Sequence, residues 1–251
     1  MLRALLDDDP GRPRVTWYGP YTERVELSAK ILDSRVARTA NLLVDEMDTG
    51  PGATVAIALP PHWLTAVWLL AAWSTGACAV AVPVNEAAPH DLVQSGIDVL
   101  VAADPVVLAK NAPDARKVAV ALPSLAMSFG PELPDNALDA TLAVQGHGDV
   151  FVPFVDPIAS DAAFRVPGRP LLSHGELTVA AAQAADEAGL PPKVRLFTGA
   201  GPDGALLGLL APLVRLGSVV FHHDLPALSA DPPALTRLCE QEAVTATDSA
   251  R

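Results

Sequence analysis

Between two apolar runs, Val194–Thr198 and Ala205–Leu216, the chain carries the segment Gly199-Ala200-Gly201-Pro202-Asp203-Gly204. Glycines at this spacing, set between a strand and a helix, let the backbone approach a pyrophosphate at the helix N-terminus, where unpaired amides and the helix dipole favour negative charge. Asp224, about twenty residues past the last glycine, is spaced to take ribose hydroxyls. The competing reading is a Gly-rich turn that only links two elements, because short motifs match by chance often. Thr198, Gly199, Gly201 and Asp203 are candidate ligand-binding residues, since they border the crevice expected at the carboxyl ends of parallel strands.

Other reactive side chains have plainer explanations. Ser173 and Glu176 have the S-x-x-E spacing of a capping box, in which the glutamate reaches back to a helix-start amide. His174 is adjacent to Ser173, so the two cannot easily face each other, and no G-x-S-x-G elbow is present to expose a nucleophile. His222, His223 and Asp224 are consecutive, and neighbours on a strand point to opposite faces, so they do not form a metal chelate. His62, His90 and His147 lack partners at ligand spacing and are expected in turns or caps. Trp17, Tyr18 and Tyr21 are expected to staple an N-terminal arm to the core, and Asp7-Asp8-Asp9 to form a frayed, solvated start. No catalytic residue and no metal ligand is assigned.

The elements that must position these residues follow from apolar periodicity. Ala29, Leu32, Val36, Ala40, Leu43 and Met47 recur at steps of three and four, which is one helix face, and Gly50-Pro51-Gly52 ends it. A continuously apolar strand, Thr54–Leu59, is followed by Pro60-Pro61 and a helix carrying Trp63, Leu64, Val67 and Trp68. Further strands are expected at Ala77–Val82, Ile97–Ala102 and Val118–Leu122, with a short helix at Pro89–Ser95. Turn-prone residues break every run between Pro123 and Gly168, apart from a helix at Asp135–Val144. Alternation then resumes: helix Gly175–Ala188, strand Val194–Thr198, helix Ala205–Leu216, strand Ser218–His222, a helix from Asp231-Pro232 through Glu242, and the start of a strand at Val244–Ala246. Continuously apolar strands alternating with helices predict an α/β fold with largely parallel sheets flanked by helices. The division expected along the chain is a first α/β subdomain at 1–125, an irregular connection at 126–169 and a second α/β portion at 170–251.

Composition narrows the function classes. The 251 residues carry 17 basic and 29 acidic side chains, a net charge of -12, with no basic cluster; this excludes the electrostatics of a nucleic-acid binder. Trp63–Val84 is free of charge and long enough to span a bilayer, yet Ser74-Thr75-Gly76 interrupts it and Pro83 sits near its end, so a buried helix turning into a buried strand is expected instead of a membrane span. Cys78 and Cys239 are far apart and have no metal spacing, and the N-terminus lacks an export signal. These features suit a soluble cytoplasmic protein.

The order and wording of several segments resemble the N-terminal part of the adenylate-forming, AMP-binding superfamily, which includes acyl-CoA synthetases. Gly50-Pro-Gly-Ala-Thr-Val-Ala-Ile-Ala-Leu-Pro-Pro is similar to the family's turn and first strand, and Ala77-Cys-Ala-Val-Ala-Val-Pro-Val-Asn to its Val-Pro-Leu-Asn strand end. Leu171-Leu-Ser-His-Gly-Glu-Leu resembles the helix start that comes after the family's phosphate loop, and Pro212–Phe221 its Leu-Leu-Ala-Gly-Ala-Thr-Val-Val-Leu stretch. The resemblance covers roughly residues 15–125 and 170–247, and it implies the family's α/β fold.

Departures from the family pattern bear on activity. The resemblance places a Thr/Ser/Gly-rich, lysine-ending loop that wraps the ATP triphosphate at Ala159–Pro170, where this chain has one serine, one glycine and no threonine, with Arg169 near the lysine position and Asp161 of the wrong charge. The family's Pro-x-x-His stretch falls near Phe197–Ala200, without a histidine. The later Tyr-Gly-x-Thr-Glu segment, the ribose-binding Asp, the hinge and the C-terminal domain with its catalytic Lys have no counterpart. The expectation is therefore a shortened, non-catalytic binding or partner module. It would take a small acyl or nucleotide ligand, with no strong ATP or AMP binding, and would associate with itself or a partner chain. The alternatives are a ligase component completed by another chain, or a dinucleotide-binding protein using Gly199–Gly204.

Overall fold

A run such as Thr54–Ala58, apolar at nearly every position and buried at all five, is stable only where helices cover both faces of its sheet. The computed structural model, which describes residues 1–82, 84 and 96–248, builds its sheets from such runs. In chain order the strands are β1 (Pro13–Tyr18), β2 (Arg24–Ser28), β3 (Thr54–Ala58), β4 (Cys78–Ala81), β5 (Val99–Ala102), β6 (Arg116–Ala119), β7 (Ala137–Asp139), β8 (Ala162–Arg165), β9 (Leu172–Ser173), β10 (Arg195–Thr198), β11 (Ser218–His222) and β12 (Ala246–Thr247). The helices are α1 (Leu2–Asp8), α2 (Ala29–Asp45), α3 (Trp63–Ser74), α4 (Pro105–Lys110), α5 (Ala140–Ala143), α6 (His174–Glu187), α7 (Ala211–Val214), α8 (Leu225–Ser229) and α9 (Pro232–Gln241). The fold is α/β with mostly parallel sheets flanked by helices.

The chain divides into two compact units that do not follow chain order. One comprises Met1–Asp33, Pro61–Ala66 and the described residues from Thr178 onward; the other comprises Ser34–Pro60 and the described residues of Val67–Leu177. This spatial division differs from the sequential one at residues 125 and 170. Sheets recruit strands by register and burial, not by proximity along the chain, and both β7 and β8, inside the stretch read as irregular, are sheet strands.

The second unit holds a seven-stranded sheet in the order β7-β6-β5-β3-β4-β8-β9, parallel throughout except for the β8–β9 pair. One face carries Ala56, Ala58, Val80, Leu100 and Ala102, packed with Leu108, Ala112 and Ala119. Small side chains on that face let covering elements come close. Trp73 anchors the end of α3: its indole N–H donates to the Ala163 carbonyl at 2.9 Å, and its ring meets Phe164 edge-on. Gly76 then reverses the chain with φ +85°, and an added Cβ would lie 2.9 Å from Pro51, so the charge-free run ends as a helix stop and not as a continuing span. Among the described residues no helix is long and apolar enough to cross a membrane.

The first unit holds a five-stranded sheet, β12-β10-β11-β1-β2, parallel except for the β1–β2 hairpin. Here the structure corrects the sequence expectation for the N-terminus. Trp17 and Tyr18 lie in β1 inside the sheet rather than in an arm stapled to it, and Leu2–Asp8 is helical. The reason is Arg14, which is fully buried. Its guanidinium donates to the carbonyls of Leu216 (2.6 Å), Gly217 (3.3 Å) and Leu5 (3.2 Å), and it pairs with Asp8 at 2.8 Å. A buried cation must find such partners, so α1 folds over it and Asp8 is not a solvated terminus. Hydrogen bonds from Lys193 and Arg14 hold the Asp8 carboxyl down to about 2.

Two other expectations are revised. Asp135–Val144 is not one helix, because the Asp139 carboxylate accepts from the amides of Thr141 (2.9 Å) and Phe129 (2.7 Å) and starts the short α5 after β7. Ala205–Leu216 is not a regular helix either. Pro212 has no N–H for the carbonyl four residues earlier, that of Gly208, and the turn Leu206–Leu210 widens to π geometry before α7. The helix expected at Pro89–Ser95 lies outside the described residues.

Replacing Arg14 with methionine would leave Asp8 and four carbonyls, those of Leu5, Asp9, Leu216 and Gly217, facing a thioether. The expected cost is about 3 kcal/mol, read as a lower urea midpoint with an unchanged m-value.

Candidate functional site

The carboxyl ends of β10 and β11 bring Thr198 beside Phe221, with the chain then turning at Gly199. Thr198 is fully buried and committed: its hydroxyl donates to the Asp248 carboxylate at 3.0 Å and accepts the Ala200 amide at 3.0 Å. Gly199 is needed for packing, because a Cβ there would lie 2.7 Å from Leu225 Cβ. Gly204 and Gly208 similarly admit Ala200, at 2.9 and 2.4 Å from their notional Cβ atoms. Gly201 precedes a short 3₁₀ turn, Pro202–Gly204, in which Asp203 is exposed. Asp224 caps α8 by accepting the Ala227 amide at 3.0 Å. Thr198, Gly199, Gly201 and Asp203 thus share one loop at the carboxyl edge of the sheet. The glycines lead into a 3₁₀ turn and a widened helix, not the regular helix start of a dinucleotide-binding unit.

Next to this loop, His222 Nδ1 accepts the Asp224 amide at 3.1 Å, while the His222 and His223 rings lie 4.9 Å apart. Burial pushes the His222 pKa down, which keeps the ring neutral near pH 7. Among the described residues no three His, Cys, Asp or Glu side chains converge as metal ligands.

In the other unit, β8 and β9 form the hairpin that the resemblance equates with the phosphate-loop region. Its tip, Val166-Pro167-Gly168-Arg169, closes with one hydrogen bond, from the Arg169 amide to the Val166 carbonyl at 3.0 Å. Gly168 supplies the positive φ, +73°, that the turn requires. The helix start after it is occupied by protein groups. The His174 and Gly175 amides donate to the Asp161 and Ala159 carbonyls, each at 2.9 Å, and the Ser173 amide donates to Glu176 at 2.9 Å. The Ser173 hydroxyl also donates to Glu176, at 2.7 Å, and His174 Nε2 contacts the Gly76 carbonyl at 3.1 Å, so no Ser–His couple forms.

One polar cluster was not anticipated from the sequence. Glu242, just past α9, is 6% exposed and meets the first unit's sheet. It accepts from Tyr18 Oη (2.5 Å) and Arg24 Nε (2.9 Å), and it pairs with Arg195. Arg195 also donates to the Glu242 carbonyl (2.6 Å), to Ser218 Oγ (3.2 Å) and to Thr16 Oγ1 (3.1 Å). Burial alone would raise the Glu242 pKa, but hydrogen bonds from Arg24, Tyr18 and Arg195 outweigh it and hold the group at about 2. The only sequence signal was an alternation of polar side chains, Arg14, Thr16 and Tyr18, on one face of an otherwise apolar strand.

Residues 3–162 match the AMP-binding enzyme family, and the chain belongs to that family. A protein of Mycobacterium tuberculosis, strain H37Rv, named by its family alone, is 36% identical over 255 residues, covering 98% of this chain and 95% of the relative. The crystal structure of Brucella canis acyl-CoA synthetase superposes with a TM-score of 0.78 at 20% identity, over 94% of this chain. The chain spans 44% of the length of that synthetase, and the likeness defines the fold.

The Glu242 cluster predicts an acid limb of stability. A carboxyl whose folded pKa lies below its ordinary value of 4.5 contributes fully above that pH and loses its contribution as pH falls toward 2. Glu242→Gln is expected to lower stability near pH 7 by about 3 kcal/mol and to flatten the fall of Tm between pH 4.5 and 2, measured by thermal unfolding across pH.

Proposed function

We propose that this AMP-binding family member is a non-catalytic binding or partner module and does not activate carboxylic acids. The observation that carries the reading is the β8–β9 hairpin. In the region where the family resemblance calls for a donor-rich phosphate loop, a four-residue turn closes on itself, and the amides of His174 and Gly175 already donate to main-chain carbonyls. Adenylation depends on donors preorganised around the phosphates, and these donors are spent on the fold itself.

A ligand for the carboxyl edge near Thr198, Gly199, Gly201 and Asp203 would be a small acyl or nucleotide group, held by backbone and by Asp203, since Thr198 is already committed. Association with a second copy or a partner chain belongs to the same reading. Val150, Val152, Phe154, Val155 and Ile158 each expose more than 60% of their surface within one short stretch, and contiguous apolar exposure of that kind marks protein contact surfaces. By contrast, Ala246 packs on the core of its unit, and Val244 is half-buried. A cytoplasmic setting fits two free thiols, Cys78 buried and Cys239 partly so.

ATP–pyrophosphate exchange with a panel of carboxylic acids is expected to stay at background for the purified chain. Magnesium-dependent exchange accompanied by acyl-AMP release would overturn the reading.

A further inference from the structure

The candidate loop sits where β10 ends; a cavity of about 400 Å³ opens where β10 begins. It is lined by Arg12, Arg24, Arg195, Ser218, Gln241 and Glu242, all within the first unit. Three arginines and one glutamate therefore line it, in a chain whose net charge is -12, and Arg24 also pairs with Glu26 outside the lining. The cations are not equally committed. Arg195 spends its donors on Glu242, Ser218 and Thr16. Arg24 uses Nε and Nη2 on Glu242, Tyr18 and Glu26, which leaves Nη1 without a hydrogen bond among the described residues. Arg12 makes only one side-chain contact, a 3.4 Å bond from Nη2 to the Lys193 carbonyl, so its Nε and Nη1 are free among the described residues. Ser218 accepts from Arg195 and retains its own O–H for donation.

We propose that this cavity is a binding site for a small organic anion, whose carboxylate or phosphate oxygens take the uncommitted donors of Arg12, Arg24 and Ser218. Glu242 and Arg195 form a fixed wall: the carboxylate pairs with Arg195 and with Nε and Nη2 of Arg24, which leaves Arg24 Nη1 and the Arg12 guanidinium to face the ligand. The volume falls within the ordinary range for small-molecule sites, and guanidinium forks match the geometry of planar or tetrahedral oxyanions. This site lies at the opposite end of β10 from Thr198 and does not depend on the reading of the β8–β9 hairpin.

The test is calorimetric titration of the full chain with inorganic phosphate and with succinate at low ionic strength, paired with thermal unfolding in the same anions and in matched chloride. Saturable one-site binding and a raised Tm are expected for at least one of the two; phosphate alone points to a phosphorylated ligand, and succinate alone to a carboxylate. Arg12→Gln should weaken binding about tenfold or more, while Arg12→Lys, which keeps the charge, should retain part of it. Arg12 carries so little of the fold's bonding that both variants should unfold near the parent Tm. Absence of saturable heat and of any Tm shift with either anion overturns the proposal, as does binding that is unchanged in Arg12→Gln, which would put the anion elsewhere.

Discussion

The Glu242 carboxylate, nearly excluded from water and gripped by Arg24, Arg195 and Tyr18, is the contact on which the five-stranded sheet depends. Two of its partners come from the N-terminal hairpin β1–β2, and the third from β10, about 170 residues further along. A charge in that position is costly unless every lone pair is used, so the cluster forms only when strands distant in sequence are assembled in this order. Arg14 imposes the same condition at the other end of β1, through the carbonyls of Leu5, Leu216 and Gly217. Together the two clusters make β1 an interior strand with a polar face, an arrangement that a purely apolar sheet would not specify as narrowly.

The seven-stranded sheet obeys a different logic. Its central strands β3, β4 and β5 are short, alanine-rich and buried along their whole length, so burial and close packing stabilise it. The β8–β9 edge shows how local economy shapes chemistry. A tight turn with one glycine, and a helix start whose amides are claimed by Ala159 and Asp161, make a stable corner with few spare donors. Stability at that corner and anion capture there compete for the same N–H groups.

Much of this was legible along the chain. The apolar runs at Thr54–Leu59, Ala77–Val82 and, after Asp98, Val99–Ala102 formed parallel strands. The S-x-x-E spacing at Ser173 formed one half of the capping box, with Glu176 accepting the Ser173 amide while the Ser173 hydroxyl turns to the same carboxylate. The Gly199–Gly204 spacing was legible too, but its physical use was not. Glycine marks a close approach of backbone to something, and the sequence does not say whether that neighbour is a pyrophosphate or, as here, Leu225 and Ala200. Likewise β1 was concealed because Arg14, Thr16 and Tyr18 break its apolar pattern, and those residues are buried only through partners supplied from elsewhere in the chain.

By itself the sequence determined the class of fold, the family likeness and the positions of the strands buried on both faces, because those depend on local periodicity and on where turns are permitted. Tertiary structure decided which donors are free. A guanidinium, an amide or a threonine hydroxyl has the same sequence signature whether it is satisfied or waiting for a ligand. Only the arrangement of long-range partners shows that Thr198 and Arg195 are committed while Arg12 is not.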